Sequence, residues 1–458
     1  MADELISQLA GFRSAHSVLD GDGAPPAPTD EDVRQRPYAS PGEPALLPIG
    51  VVYQAGWEAL GDGLARHARA QVRALAQSGL PVSLRPLAAR RMVLEDEITP
   101  AVLAEVGHLR ATSLAEVAVA IRHLVFSSAQ HLENVICPPG ARLAGIAAER
   151  EVYARTIVYT SWERSTVAAE LVELLSRCGQ VWVPCLASHD AFLGAGLHTS
   201  KVRIMPCPYE PDRSLVCKLS SPRGSEAVPG GKRFYAIGKW EPRKAYHTLI
   251  GAFLQEMRPT ERVALLIKTH EWGRWDGYPT PAESLARWRE DAAVKAKGWT
   301  PELIQRRVAI VTKELTEEQI ALLHREGNIY VSSSHGEAWD MPAFDACCAG
   351  NRLVYTGYGG ADEYAGKDDG SVRLWPREPT MVPVHPGYGR EPRAMWADVP
   401  IELLRQALRR AEPPLRRRHP PYLYGRYGAH QVGQLMREQV LRVAGESARR
   451  LVAAGGFG

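Results

Sequence analysis

Cysteine is scarce and unpaired in this sequence. Seven residues are scattered over 458 positions, and no C-x-x-C pair occurs. A disulfide framework and a zinc ribbon are both excluded on that pattern, and reduced thiols are the default. No apolar run approaches the roughly 18 residues that a membrane span needs. The start, Met1-Ala-Asp-Glu-Leu, lacks the basic-then-apolar order of a secretory signal. Net charge is only +3, so no global field calls for a nucleic acid or a membrane. A cytoplasmic protein, or one peripheral to a membrane, is expected. What remains is an ordinary globular composition, 45% hydrophobic and 23% charged. The length suits two domains of about 200 residues each.

Residues 1–46 divide into a short amphipathic stretch and a Pro, Gly, Asp and Ala-rich arm, read as flexible. An apolar strand over 47–53 then runs into G-W-E-A-L-G-D-G at 56–63 and a helix over 64–77. Leu64, Ala68, Val72 and Leu75 fall on one face of it. A glycine loop between strand and helix lets backbone N–H groups approach a phosphate, but a ligand-free tight turn reads equally from these residues. Further strands are expected over 135–137, 155–159, 181–184 and 202–205. A helix to about 175 is expected after T-S-W-E-R-S (160–165), and another over 190–195. Repeated β-α-β implies a parallel sheet covered on both faces.

Residues 209–232 break every period and read as a linker. Beyond it the pattern is cleaner. Strands are expected over 234–237, 263–267, 308–311, 329–331 and 353–355. Helices are expected over 246–255, 282–296, 317–325 and 342–349. Thr316 and Gln319 form a capping box before the third. The last segment, 401–458, reads as helical and arginine-rich. A solvated face explains its basic runs (Arg409-Arg410 and Arg416-Arg417-Arg418) more simply than an anionic partner does.

Two βα turns carry the chemistry. One is F-Y-A-I-G-K-W-E-P-R-K-A-Y-H-T-L-I, in which Gly238 ends a strand and Lys239, Arg243 and Lys244 follow. Cations and free N–H groups at a helix start suit a diphosphate. The other is I-Y-V-S-S-S-H-G-E-A-W-D-M-P-A-F-D-A-C-C-A-G-N-R-L-V-Y at 329–355. It places Glu337 on a loop and Asp345 inside a helix opened by Pro342. Both turns belong to one sheet and point to one edge. Cations for a diphosphate, beside carboxylates for hydroxyls, make a nucleotide-sugar site.

The turn G-K-W-E-P-R-K-A-Y-H-T-L-I and the stretch H-G-E-A-W-D-M-P-A-F-D-A-C-C-A-G-N-R-L-V-Y-T-G-Y-G-G-A-D-E-Y resemble the donor-site motifs of a known family. It is the retaining GT-B glycosyltransferases, glycosyl transferases group 1 (family 4). The likeness runs over 47–445, strongest after the linker. It implies an α/β GT-B fold, two Rossmann-like domains facing across a cleft. The expected parts are an arm (1–46), an acceptor-binding domain (47–215), a linker (216–232), a nucleotide-sugar domain (233–425) and a final helix (426–458) crossing back to the first domain.

The resemblance also implies roles. Glu337, Lys244 and Lys239 would be catalytic, and Asp345 would reach the ribose. Gly61, Gly63, Gly238, Arg243, Met341, Pro342 and Ala343 would contact the donor, with Thr312 and Leu315 beside the base. Glu163 and His131 are acceptor-side candidates. No metal and no cofactor are expected, and the sequence shows no D-x-D motif in a suitable loop. The expected partners are a UDP- or GDP-linked sugar and an acceptor: a glycan, a small molecule, a protein or a modified nucleic acid. Departures are visible too. Asp345 stands for Glu, Lys239 for Arg, Asp340 and Ala245 for Gly. An epimerase, a phosphorylase, a DNA-modifying transferase and a binding-only member are the competing readings.

Overall fold

Two twisted parallel sheets of six strands organise the chain. The computed structural model describes residues 49–56, 63–86, 117–126, 128–137, 146–210, 231–270, 273–366, 370–388, 391, 393–415 and 420–453, with side chains to 445. Gly61, the arm, residues 211–230 of the linker and Arg416-Arg417-Arg418 lie outside them. All described residues fall in one unit, Ile49–Gly458.

The first sheet is built from β1 (Ile49–Ala55), β2 (Val82–Pro86), β3 (Val117–His123), β4 (Thr156–Tyr159), β5 (Gln180–Val183) and β6 (Val202–Ile204), in the order β2-β1-β3-β4-β5-β6. The second is built from β7 (Lys232–Ile237), β8 (Val263–Lys268), β9 (Val308–Val311), β10 (Ile329–Ser332), β11 (Arg352–Tyr355) and β12 (Val372–Arg373), in the order β12-β11-β10-β7-β8-β9. Its strand order reverses between β7 and β10. Such a reversal leaves a crevice at the carboxyl ends, where ligands bind in open α/β sheets. The strands read as unbroken apolar runs, and burial on both faces explains it: β4, β5 and β10 are buried at every position.

Five helices bear on the site and on the closing of the first core: α1 (Gly63–Gln77), α2 (Ala129–Ile136), α3 (Tyr246–Glu256), α4 (Met341–Cys348) and α5 (Ala429–Ala453). On α5, Val432, Met436, Val440 and Val443 recur at helical spacing and are almost wholly buried. They join Val51, Tyr53, Ala68, Val72 and Trp182 in one core cluster. The last helix therefore covers the first sheet beside α1, as the resemblance implies. Each such side chain removed from water stabilises by about 1.5–3 kcal/mol. The crossing chains touch where Tyr209 N–H donates to Tyr427 O at 2.6 Å, and Tyr209 bridges Gly428.

Several expected elements differ. Residues 135–137 are the end of helix α2, not a strand. Ser128 caps it by accepting from His131 N–H, and Leu132 and Ile136 are its buried pair. Residues 160–168 are loop, so the helix expected after T-S-W-E-R-S starts after a gap of three residues, at Ala169. The helix expected at 190–195 runs from Leu186 to Gly194. The helix expected at 282–296 breaks at Asp291, whose carboxylate accepts from Val294 N–H and starts a new turn. A hairpin, Met381–Pro383 with Met395–Ala397, carried no readable alternation. The Thr316–Gln319 capping box is present.

Candidate active site

The site begins with two loops sewn together. After β10, Ser333 Oγ donates to Lys244 O at 2.8 Å, Ser334 Oγ to Arg243 O at 3.2 Å, and His335 N–H to Arg243 O at 2.7 Å. The run of small polar residues is thus explained: short hydroxyls satisfy the carbonyls of the neighbouring turn. That turn is a single 3-10 helix, Pro242–Lys244, closed by Ala245 in the left-handed region at φ 50°. Gly238 has no alternative. A Cβ there would lie 2.6 Å from Tyr246 Oη and 3.0 Å from Lys244 Cε.

Arg243 and Lys244 converge on Glu337. Lys244 Nζ hydrogen-bonds Glu337 Oε1, and Arg243 Nη1 stands 2.8 Å from the same oxygen. Arg243 also reaches Glu241 at 2.7 Å and, from the first sheet's side, Glu163 at 3.1 Å. Arg243, Lys244 and Glu337 are each buried to nine-tenths. Burial works against charge on Glu337, but Arg243 and Lys244 override it and hold the carboxyl down to about 2. Burial dominates at Glu163 and lifts it to about 7 against the pull of Arg243. Burial, with Glu337 beside it, lifts Asp340 to about 6. The third wall is Gly359-Gly360. Gly360 N–H donates to Glu337 O at 2.9 Å, and a Cβ on Gly359 would sit 2.1 Å from that carbonyl.

Asp340 caps α4 at φ 62°. It and Ala245 are the two non-glycine residues with positive φ among the described residues. Both stand where the resembling family has glycine. Asp340 Oδ2 accepts from Ser332 Oγ, and its Oδ1 is buried without a hydrogen-bond partner. The carboxylate therefore turns toward β10.

The structure gathers most, not all, of the sequence candidates. Glu337, Lys244, Arg243, Gly238 and Glu163 form the cluster at the two loops. Met341, Pro342 and Ala343 open α4 beside it. Gly63 comes against Met341, at 3.4 Å from a notional Cβ. Asp345 gives both oxygens to Arg66 of α1, at 2.8 and 3.1 Å. Lys239 is exposed, and the cations that touch Glu337 are Arg243 and Lys244. Thr312 and Leu315 follow β9, two strands from β7. His131 lies on α2 with no contact to the cluster among the described residues.

Residues that the sequence did not single out complete the surroundings. Tyr53 Oη donates to Gln71 Oε1 and meets His123 Nδ1, each at 2.7 Å. The His67 ring lies 5.5 Å from His123 and 6.4 Å from Trp339 of the other half. Burial keeps His67 neutral, down to about 3. His123 Nε2, Thr160 Oγ1 and Trp339 Nε1 are buried with no hydrogen-bond partner among the described residues. Buried polar atoms without partners are rare in native proteins and call for a missing one. Only His123 and Thr160 carried a signal, their place at the carboxyl ends of β3 and β4.

No protein-family model and no curated relative matches the sequence. Solved structures do match the fold. The α,α-trehalose-phosphate synthase (UDP-forming) from Burkholderia vietnamiensis superposes with a TM-score of 0.51 at 11% identity, over 87% of this chain and 100% of that one. HepE from Anabaena, in complex with UDP and glucose, gives 0.48 at 13% identity, over 86% and 99%. The sucrose-phosphate synthase from Thermosynechococcus elongatus gives 0.45 at 15%, over 88% and 99%. The two-sheet α/β arrangement is the GT-B fold.

Proposed function

We propose that this chain is a retaining glycosyltransferase that moves a sugar from a nucleoside-diphosphate sugar to an acceptor hydroxyl, without a metal. The observation that carries the reading is the buried Arg243–Lys244–Glu337 cluster at the carboxyl ends of β7 and β10. Two cations there meet a leaving diphosphate, and a carboxylate meets sugar hydroxyls. The unpartnered His123, Thr160 and Trp339 atoms supply donors and acceptors of the kind a sugar takes up.

In this reading the acceptor oxygen attacks the anomeric carbon from the face that the diphosphate leaves. The C–O bond to phosphate breaks, and the acceptor proton passes to the departing phosphate oxygen. Arg243 and Lys244 stabilise the negative charge that develops there, and the protein otherwise positions the two reactants. Glu163, half-buried and lifted toward neutrality, faces the cluster from the acceptor side. The UDP-forming synthase that shares the fold orders the donor screen, UDP-sugars before GDP-sugars.

Glu337→Ala and Lys244→Ala should each lower turnover by about 100-fold or more, the usual scale for a lost charge-stabilising group, with melting profiles that remain cooperative. Near wild-type transfer by either variant sinks the assignment. One observation favours a second reading, a protein that binds nucleotide sugars without turnover: Asp340 adds a carboxyl where the family has glycine. Donor binding without transfer or donor hydrolysis across a broad acceptor set would select it.

A further inference from the structure

The cations of the cluster are already matched. Arg243 and Lys244 face Glu337, Glu241 and Glu163 within ion-pair distance. A diphosphate arriving there meets a locus with at least as much negative as positive charge when all three carboxylates are ionised. The neighbouring strand differs. Lys268 is the last residue of β8, its residue only 8% exposed. Its ammonium donates to Thr269 O at 2.8 Å, and it pairs with no carboxylate among the described residues. An ammonium has three donors, so this one is buried with capacity to spare.

Its position is fixed by the sheet. Lys268 stands opposite Ile237 in the β7–β8 ladder. Its carbonyl accepts from Gly238 N–H at 3.0 Å, and Trp240 N–H donates to His270 O at 2.9 Å. Lys244 Nζ lies over the same Gly238, 3.3 Å from a notional Cβ. On the other side Thr269 N–H donates to Val311 O at 2.9 Å, where β9 ends. Lys268 thus stands at the carboxyl edge, one strand from the cluster. In the glycosyltransferase reading this is the nucleotide's side of the crevice. Burial pulls the lysine below its ordinary range against the opposing pull of Glu314, and an anion beside it would restore the charged form.

We propose that Lys268 anchors the phosphate chain of the bound nucleoside diphosphate, as a buried cation in ion-pair contact with no carboxylate among the described residues. The proposal rests on the nucleotide-sugar reading above. Calorimetric titration of the full chain with UDP, GDP and inorganic pyrophosphate tests it. Lys268→Met should weaken UDP or GDP, whichever the wild type binds, and pyrophosphate by about tenfold or more. Lys268→Arg should keep affinity within a few-fold, and neither variant should lose its cooperative melt. Should the methionine variant fail to fold, Lys268→Gln carries the same comparison. Affinity within twofold of wild type in the neutral variant overturns the assignment of Lys268 and leaves the donor reading standing. A wild type that binds neither nucleotide nor pyrophosphate overturns both.

Discussion

Ala245 and Asp340 hold a backbone conformation that costs an L-residue roughly 1–2 kcal/mol, and they do so on either side of the candidate site. Strain held in this way marks positions that the surroundings over-determine. At Ala245 the side chain is one methyl, so Ala245→Gly isolates the backbone term. Relief of the left-handed strain outweighs the added freedom of the unfolded chain, about 0.4–1 kcal/mol. The variant should therefore melt higher than wild type, and a lower melting temperature would contradict the account. Glu163 makes a second prediction. Its carboxyl is lifted from the ordinary 4.5 to about 7, so its contribution to stability is full below 4.5 and is lost as pH rises through 7. Glu337 has the opposite sign: held down to about 2, it stabilises above 4.5 and that gain is lost as pH falls toward 2. Thermal melts of wild type and Glu163→Gln over pH 4.5–8 read the Glu163 slope alone, because that of Glu337 lies below 4.5. The variant should gain on wild type as pH rises, whereas a constant gap would refute the shift. Glu337, Lys244 and Gly238 were legible because type and spacing suffice to name them. Arg66 was not. It is one arginine on a helix, and its meeting with Asp345 spans 279 positions of sequence.

Elements were legible where the period was clean. All of β7 to β11 were readable from short apolar runs, and the inner strands, buried on both faces, need nothing else, while the edge strand β9 is apolar though only partly buried. Helix α2 was misread because Val135, Ile136 and Cys137 are apolar neighbours, and a three-residue apolar run suits strand and helix alike. The stripe on α5 was present in the sequence at 432, 436, 440 and 443, and the resemblance sent its helix to the first domain without naming the helix it meets. That helix is α1. Gly433 shows how near the two helices come: a Cβ there would lie 2.2 Å from Ala74 O. Glycine inside a helix costs about 1 kcal/mol in propensity, which Gly433→Ala would recover. Forcing the helices apart costs typically 1–3 kcal/mol. The second effect should win, so the variant should unfold at lower denaturant concentration than wild type. A higher midpoint would show that the helices can separate freely.

At the scale of the molecule, the two halves are joined by charge as well as by chain. Arg66 with Asp345, and Glu163 with Arg243, each link a residue from the first sheet's side to one from the second. A double-mutant cycle on Arg66→Ala and Asp345→Ala should give a coupling of about 1–3 kcal/mol, above the 0–1 of exposed pairs because Asp345 is buried. A coupling near zero would mean that the link contributes nothing. Within the basic C-terminal stretch, Arg409 engages Glu256 at 2.9 Å and Glu261, and Tyr427 is buried. The crossing at Tyr209 and Gly428 has a further consequence. The core of the first sheet is finished by α5, whose residues leave the ribosome after everything in the second half. During synthesis the earlier half must wait with an apolar face uncovered while more than two hundred residues emerge. The chain's opening portion is thus the last to be sealed, and any break before residue 429 leaves that face exposed.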